Sequence, residues 1–194
     1  MKNCVDDVRV AYPLFQTESG GSTPTSTLDL HIDVIDTLLA KRLNSIWHSR
    51  LPIYNTGFCL TARLCFGGHY GGLWYASAIW SNPVAQALPQ LTWLELRRFA
   101  ISQDAPKNTA SRMLAVMKRI IKQKLPEVIK LISYQDCEAH KGIIYKAAGW
   151  HKGNFHSGGS WNRPNSKNTY NNKPRTRPDL NNCIGPKIRW EYDL

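Results

Sequence analysis

Between residues 92 and 192 the hydrophobic pattern changes period repeatedly, and this alternation limits the chain to few architectures. Thr92–Ile101 reads as a strand of large apolar residues interrupted by Glu95, Arg97 and Arg98. Met113, Leu114, Met117, Ile120, Ile121 and Leu125 then recur on one helical stripe, with Arg112, Lys118, Arg119 and Lys122 on the other side. Asp104 or Asn108 can cap this helix, Pro106 fits its first turn, and Pro126 ends it. A strand follows at Val128–Tyr134, a short helix at Ile143–Ala148 closing on Gly149, and an alternating final strand at Lys187–Tyr192. Such an order predicts an α/β fold, a single domain with a mixed central sheet flanked by helices.

Upstream, Val34, Ile35, Leu38, Leu39, Leu43 and Ile46 predict another amphipathic helix that cannot continue through Pro52. His48 and Arg50 therefore stand at or just past a helix end, where side chains are displayed. Residues 57–66 and 73–80 read as strands joined by the glycine-rich turn Gly67–Gly72, a hairpin. The expected organisation is an arm over 1–27, a core over 28–160, a basic Asn/Pro-rich loop over 161–185 and a final strand over 186–194, the polar composition setting in at Gly153. A chain of 194 residues is long enough to bury one core. No apolar run reaches the roughly 18–20 residues of a membrane span, and no apolar segment follows the charged N-terminus, so a cytoplasmic protein with no membrane partner is expected. The cysteines (Cys4, Cys59, Cys65, Cys137, Cys183) form an odd set without a CxxC pair, which fits a reducing compartment. Cys59 and Cys65 read as small buried hydrophobes.

The formal charge of +11 asks for a polyanionic partner, because neutralising phosphates releases counterions. Its distribution sharpens the point: Arg163, Lys167, Lys173, Arg175 and Arg177 crowd one stretch opposed only by Asp179. Trp161 and Tyr170 interleave with these cations and can stack on bases. Together with Arg50 they form the expected nucleic-acid surface.

Several residues carry chemistry by type and place. Asp136 just beyond a strand end sits where open α/β sheets bind ligands, and can act as a base, a metal ligand or a helix cap. His48 can take a proton or bind a metal as neutral imidazole, or be a structural histidine. Ser133 and Tyr134 alternate faces, so one of them reaches a given cleft; Arg97 and Arg98 are expected to alternate likewise, one facing solvent. Tyr145 either fills the core or uses its hydroxyl as an acid. His69 and Tyr70 decorate the expected hairpin tip.

From residue 92 onward the order of elements, with Tyr145-Lys146-Ala147-Ala148-Gly149-Trp150, resembles the C-terminal half of GNAT acyltransferases. The helix-start loop of that family is glycine-rich, whereas Gln103–Ala110 has no glycine and includes Pro106, which counts against acetyl-CoA; helix-terminus amides with Lys107 and Asn108 remain able to hold an anion. A narrower resemblance joins Trp47-His48-Ser49-Arg50-Leu51-Pro52, Glu95-Leu96-Arg97-Arg98-Phe99, Ala105-Pro106-Lys107-Asn108, Ser133-Tyr134-Gln135-Asp136 and His140–Trp150. In that order they resemble the Mom family of bacteriophage DNA-modification proteins, over about residues 34–160.

The resemblance implies carbamoylmethylation of the adenine exocyclic amine in double-stranded DNA, with the base flipped out, as a shield against host restriction. It implies His48, Asp136, Tyr145, Tyr134 and Ser133 as catalytic candidates, His48 and Asp136 as ligands for iron, and Arg97, Arg98, Lys107 and Asn108 as contacts to an unknown donor. A homodimer is an assembly compatible with this. The competing readings are a GNAT-type N-acetyltransferase on a small-molecule or peptide amine, and a non-catalytic DNA-binding protein that keeps only the scaffold.

Overall fold

The computed structural model describes residues 24–48, 62–158 and 185–194. In chain order, a 3-10 turn at Thr27–Asp29 leads into β1 (His31–Val34) and α1 (Thr37–Trp47). The hairpin β2 (Ala62–Tyr70) and β3 (Leu73–Ser81) follows, then β4 (Trp93–Ile101), α2 (Thr109–Lys124), β5 (Lys130–Asp136), α3 (Ile143–Ala147), β6 (His151–His156) and β7 (Lys187–Asp193). The strands form one seven-stranded sheet in the order β1-β2-β3-β4-β5-β7-β6. Only β4 and β5 run parallel, because α2 crosses between them; all other neighbours are antiparallel. The architecture is thus α/β with a mixed sheet.

The apolar stripe of α2 is the centre of the main core. Met113, Leu114, Met117 and Ile121 are fully buried against Phe66, Trp80, Leu94 and Leu131 on one face of the sheet. α1 covers the other face above β2, β3 and β4, where Ala40 packs on Cys65 and Ile79. Ser77 fastens it there by donating to the Ala40 carbonyl at 3.0 Å.

Several boundaries differ from the sequence reading. Asp36 is the N-cap of α1, accepting from Leu38 and Leu39 N–H at 2.8 and 2.9 Å, so Val34 and Ile35 fall outside the helix and Val34 pairs in β1 instead. Leu38 is exposed, since capping geometry rather than the apolar stripe sets the rotation of the first turn. Gly67 and Gly68 lie inside β2 along with His69 and Tyr70; the turn itself is only Gly71-Gly72, both at positive φ, as a two-residue hairpin turn requires. Residues 57–61 of the strand expected over 57–66 lie outside the described residues. Pro106 precedes α2 rather than entering it, and Asn108 occupies the cap position in the left-handed region with no side-chain cap bond. β5 runs two residues further than expected, making Asp136 its last residue. β6 was not anticipated: His151–His156 has no strand-like alternation, and its pairing with β7 makes it a strand.

Gly142 has a tertiary reason. It sits at φ +71, and a Cβ there would come within 2.7 Å of Trp190 Cζ2. That leaves room for Trp190 beneath α3.

Candidate active site at the split between two strands

β4 and β5 pair only from Trp93/Lys130 to Leu96/Ser133. Beyond that point both strands continue, to Ile101 and Asp136, without bonding each other. The strands therefore part and leave a cleft through the sheet at their C-terminal ends, the end where α/β sheets bind ligands. Arg97, Arg98 and Tyr134 are the first residues past the parting.

The two arginines do not alternate as expected. Ile79 pairs with Arg98 and Trp80 with Leu96, so β4 carries one extra residue, Arg97, in a bulge. The bulge resets the alternation. Arg98 lies opposite Ile79 on the α1 face, and Arg97 reaches back to the Glu95 carboxylate, Nε to Oε1 at 3.5 Å. Both guanidinium groups thus serve one face, and Arg98 further donates to the Arg97 carbonyl at 2.8 Å. Glu95 is buried, and its other oxygen accepts from Val84 N–H at 2.9 Å. Burial pushes its carboxyl up from the ordinary range, against the opposing pull of Arg97.

On the opposite face, Ser133 and Tyr145 meet. Their hydroxyls are 2.8 Å apart and buried. Tyr145 stacks on Trp190 with centroids 5.3 Å apart and 15° between planes, and meets Trp150 edge-on at 5.7 Å. Trp190 donates its indole N–H to Gln135 Oε1 at 2.7 Å, and Gln135 in turn donates to the His140 carbonyl. Burial raises the Tyr145 phenol above its ordinary value, so it is a protonated donor at neutral pH.

His48 is the C-cap residue of α1, on the α1 face. Burial, the Arg98 charge and His140 together lower its pKa to about 4. At neutral pH it is an uncharged imidazole. The sign of the pH effect follows: the unfolded histidine takes a proton near its ordinary value of 6.5, whereas the folded one does not until about pH 4. Its contribution to stability is therefore intact above 6.5 and is lost as pH falls toward 4. The expected result is an imidazole resonance titrating near pH 4 by NMR, moving up toward 6.5 in Arg98→Met; a wild-type midpoint near 6.5 would refute the assigned environment.

Asp136 accepts from Glu138 N–H through Oδ1 at 3.0 Å, and its strand position lies opposite Lys187. Among the described residues no three His, Cys, Asp or Glu side chains converge as a metal site. The guanidinium of Arg98 beside His48 also opposes a cation there. With no such group among the described residues, no step below is routed through a metal.

Sequence reasoning named Tyr134 but missed the groups around it and His48, namely Arg189, Glu191 and His140. Tyr134 lies on the α1 face, hydrogen-bonded to Arg189 and within the field of Glu95; burial raises its phenol, against the pull of Arg189. Arg189 is held by Glu191 through Nε at 2.8 Å and Nη2 at 2.7 Å, and Lys130 Nζ reaches the other Glu191 oxygen at 3.0 Å. Burial acts to raise the Glu191 carboxyl, but the two cations outweigh it and hold it below the usual range. The alternation of Lys187–Tyr192 was the available signal, since it sets Arg189 and Glu191 on one face. His140 comes to His48 only through the loop after β5.

Lys107 and Asn108 are exposed at the start of α2. Behind them Thr109 donates to the Pro106 carbonyl at 2.7 Å and meets the Tyr70 hydroxyl at 2.7 Å, so Tyr70 supports this loop instead of decorating a hairpin tip. His69 likewise faces protein, 3.0 Å from Asp33 and stacked on His31. Arg50, Arg163, Lys167, Lys173, Arg175 and Arg177 lie outside the described residues, with Cys59, Trp161 and Tyr170.

Comparison with known proteins gives three findings. The model of the Mom protein family matches residues 38–177. No curated protein matches the chain. Solved acetyltransferases share the fold: one from Bacillus subtilis in complex with CoA superposes with a TM-score of 0.56 at 12% identity, covering 85% of this chain and 99% of its own. The IAA acetyltransferase from Bacillus cereus gives 0.56 at 11% identity, with coverages of 85% and 99%. A GNAT family acetyltransferase from Elizabethkingia anophelis with acetyl-CoA bound gives 0.52 at 11% identity, with 86% and 99%. At such identities the likeness is one of fold alone.

Proposed function

The chain belongs to the Mom protein family, and from that premise we propose that it is a DNA-modifying transferase that carbamoylmethylates the exocyclic amine of adenine, protecting phage DNA from host restriction. The observation that carries the reading is the site at the β4/β5 split. A buried Ser133–Tyr145 hydroxyl pair lies on one face, and a neutral His48 beside Arg98 on the other. A base inserted at the cleft would have donors and acceptors on both sides.

The chemistry demands such an arrangement. The adenine amine is a weak nucleophile because its lone pair is delocalised into the ring, and it is paired within the duplex. The base must be extruded, at a cost of a few kcal/mol. As the bond from the amine nitrogen to the donor carbon forms, the bond from that carbon to its leaving group breaks. The nitrogen then bears positive charge and becomes strongly acidic, so even a weak base such as His48 can take its proton. Tyr145 supplies a proton to the leaving group, and Ser133 orients that hydroxyl. The cations Arg163, Lys167, Lys173, Arg175 and Arg177, with Arg50, are assigned to the DNA phosphates, and their binding energy offsets the extrusion.

The test is co-expression with a plasmid followed by nucleoside mass spectrometry. Modified adenine at the mass of the carbamoylmethyl derivative is the expected product, and unmodified DNA from cells making folded protein would sink the proposal. Duplex binding should also fall steeply with salt, with a log–log slope of about −4 to −5 if the five loop cations each neutralise a phosphate. A flat response would remove DNA as the partner. The fold favours one rival reading, N-acetyl transfer from acetyl-CoA to another amine; calorimetric binding of acetyl-CoA with no DNA requirement would select it.

A further inference from the structure

We propose that Arg97 grips the oxygen-bearing end of the donor, a carboxamide or carboxylate oxygen, with Glu95 behind it as a positioning residue. This inference rests on the transferase reading above and deepens the donor contact that the resemblance implies for Arg97, by naming the donor atom it takes and the residue that positions it.

Arg97 carries a buried hydrogen-bond donor without a match among the described residues. It spends Nε on Glu95, but its Nη1 is buried and finds no hydrogen-bond acceptor among the described residues. A buried donor left unmatched costs about 1–3 kcal/mol, and more when charged. Native proteins retain such a group mainly where something else completes it. The position fits that expectation. Arg97 is the bulge residue of β4 and the first past the point where β5 departs, so it stands on the lip of the cleft.

Its orientation is over-determined from behind. Glu95 is buried, tied by one oxygen to Val84 N–H and by the other to Arg97 Nε. The guanidinium plane is thereby held with one edge paired and another open. Across the parting, Tyr134 is fixed in the same manner by Arg189, which is clamped by Glu191. Each lip therefore presents a donor group, backed by an arginine–glutamate pair.

The charge balance selects the ligand. Arg97 and Arg189 are matched in number by Glu95 and Glu191, and Lys130 by Asp193 at 3.1 Å. Arg98 adds one further guanidinium on this face, so the described side chains leave at most a single surplus positive charge, short of what a dianion needs, and two carboxylates stand close by to repel one. A phosphate is disfavoured there. A single neutral or singly charged oxygen on a planar carbon suits the one open edge, and the carbamoylmethyl unit carries such an oxygen.

The experiment combines two readouts on the full chain. Plasmid adenine modification is measured for wild type, Arg97→Lys and Glu95→Gln, each checked for thermal midpoint and duplex affinity. Separately, the arginine side-chain ¹⁵N resonances are followed as acetamide, acetate and inorganic phosphate are added. Arg97→Lys is expected to lose modification by roughly tenfold or more with duplex affinity unchanged, and Glu95→Gln to lose less. Acetamide or acetate should move the Arg97 signals and phosphate should not. Wild-type modification in Arg97→Lys, or Arg97 signals that ignore both acetamide and acetate, would overturn the proposal; a dominant response to phosphate would overturn the ligand assignment. If wild type itself leaves adenine unmodified, the transferase reading has failed, and the titration still decides whether Arg97 binds such an oxygen.

Discussion

Tyr145→Phe is expected to lower adenine modification by about 100-fold or more while leaving the protein folded. The substitution keeps the ring that stacks on Trp190 and packs edge-on against Trp150. It removes one oxygen, the partner of Ser133 at 2.8 Å. Ser133 is buried, so its hydroxyl loses its mate, at a cost to stability of about 1–3 kcal/mol. The two effects separate the competing roles. If Tyr145 only fills the core, phenylalanine does that as well, and modification measured by nucleoside mass spectrometry stays within a few-fold of wild type. Ser133→Ala added to Tyr145→Phe removes the orphaned hydroxyl; it should recover part of the lost stability in denaturant titration and none of the lost activity. Recovery of activity in the double variant would mean that the phenol is not the acid.

The second large effect falls on folding. Trp190→Ala should destabilise the protein by about 3–5 kcal/mol, by the usual cost of emptying a large buried site. Trp190 is 1% exposed and joins three elements. Its ring lies under Tyr145 of α3, its indole N–H binds Gln135 of β5, and its strand β7 pairs with both β5 and β6. Alanine leaves a cavity and an unmatched Gln135 carbonyl, in the position that Gly142 keeps clear for the ring. Trp190→Phe should recover most of the packing but not the hydrogen bond. A loss below about 1 kcal/mol in urea for the alanine variant would show that this seam collapses around the gap and is not the rigid support for Tyr145 described above.

The two predictions bear on the same few residues from different directions, which also shows how much of the site was readable beforehand. The strand at 93–101, the amphipathic helix at 109–124 and the short helix ending at Gly149 follow from periodicity and caps, and lie where the pattern set them. Ser133, Tyr134, Tyr145 and His48 could be named because their residue types carry chemistry and their places at strand and helix ends display it. What could not be read was which of them meet. That Ser133 finds Tyr145, twelve residues away, depends on how α3 packs back on β5 through Trp190.

The arginines show the limit most clearly. Strict alternation puts Arg97 and Arg98 on opposite faces, and a one-residue bulge opposite Ile79 and Trp80 puts both on the side of Glu95. A bulge has little local signature, because it is set by how two strands fit a twisted sheet and not by the residues within it. The same holds for β6, whose segment lacks alternation and is a strand only because β7 offers it an edge. Arg189 and Glu191 stood in an alternating strand whose pattern gave their common face, but not the Tyr134 hydroxyl that Arg189 holds.

Residue order thus determined the α/β class, the crossover helix and the basic character of the chain, since periodicity and charge act over a few residues and need no partner. Tertiary structure alone decided the split between β4 and β5, the shared face of Arg97 and Arg98, and the lowered pKa of His48. Each of these depends on burial or on groups brought together from distant points of the chain, and those contacts exist only once the sheet has closed.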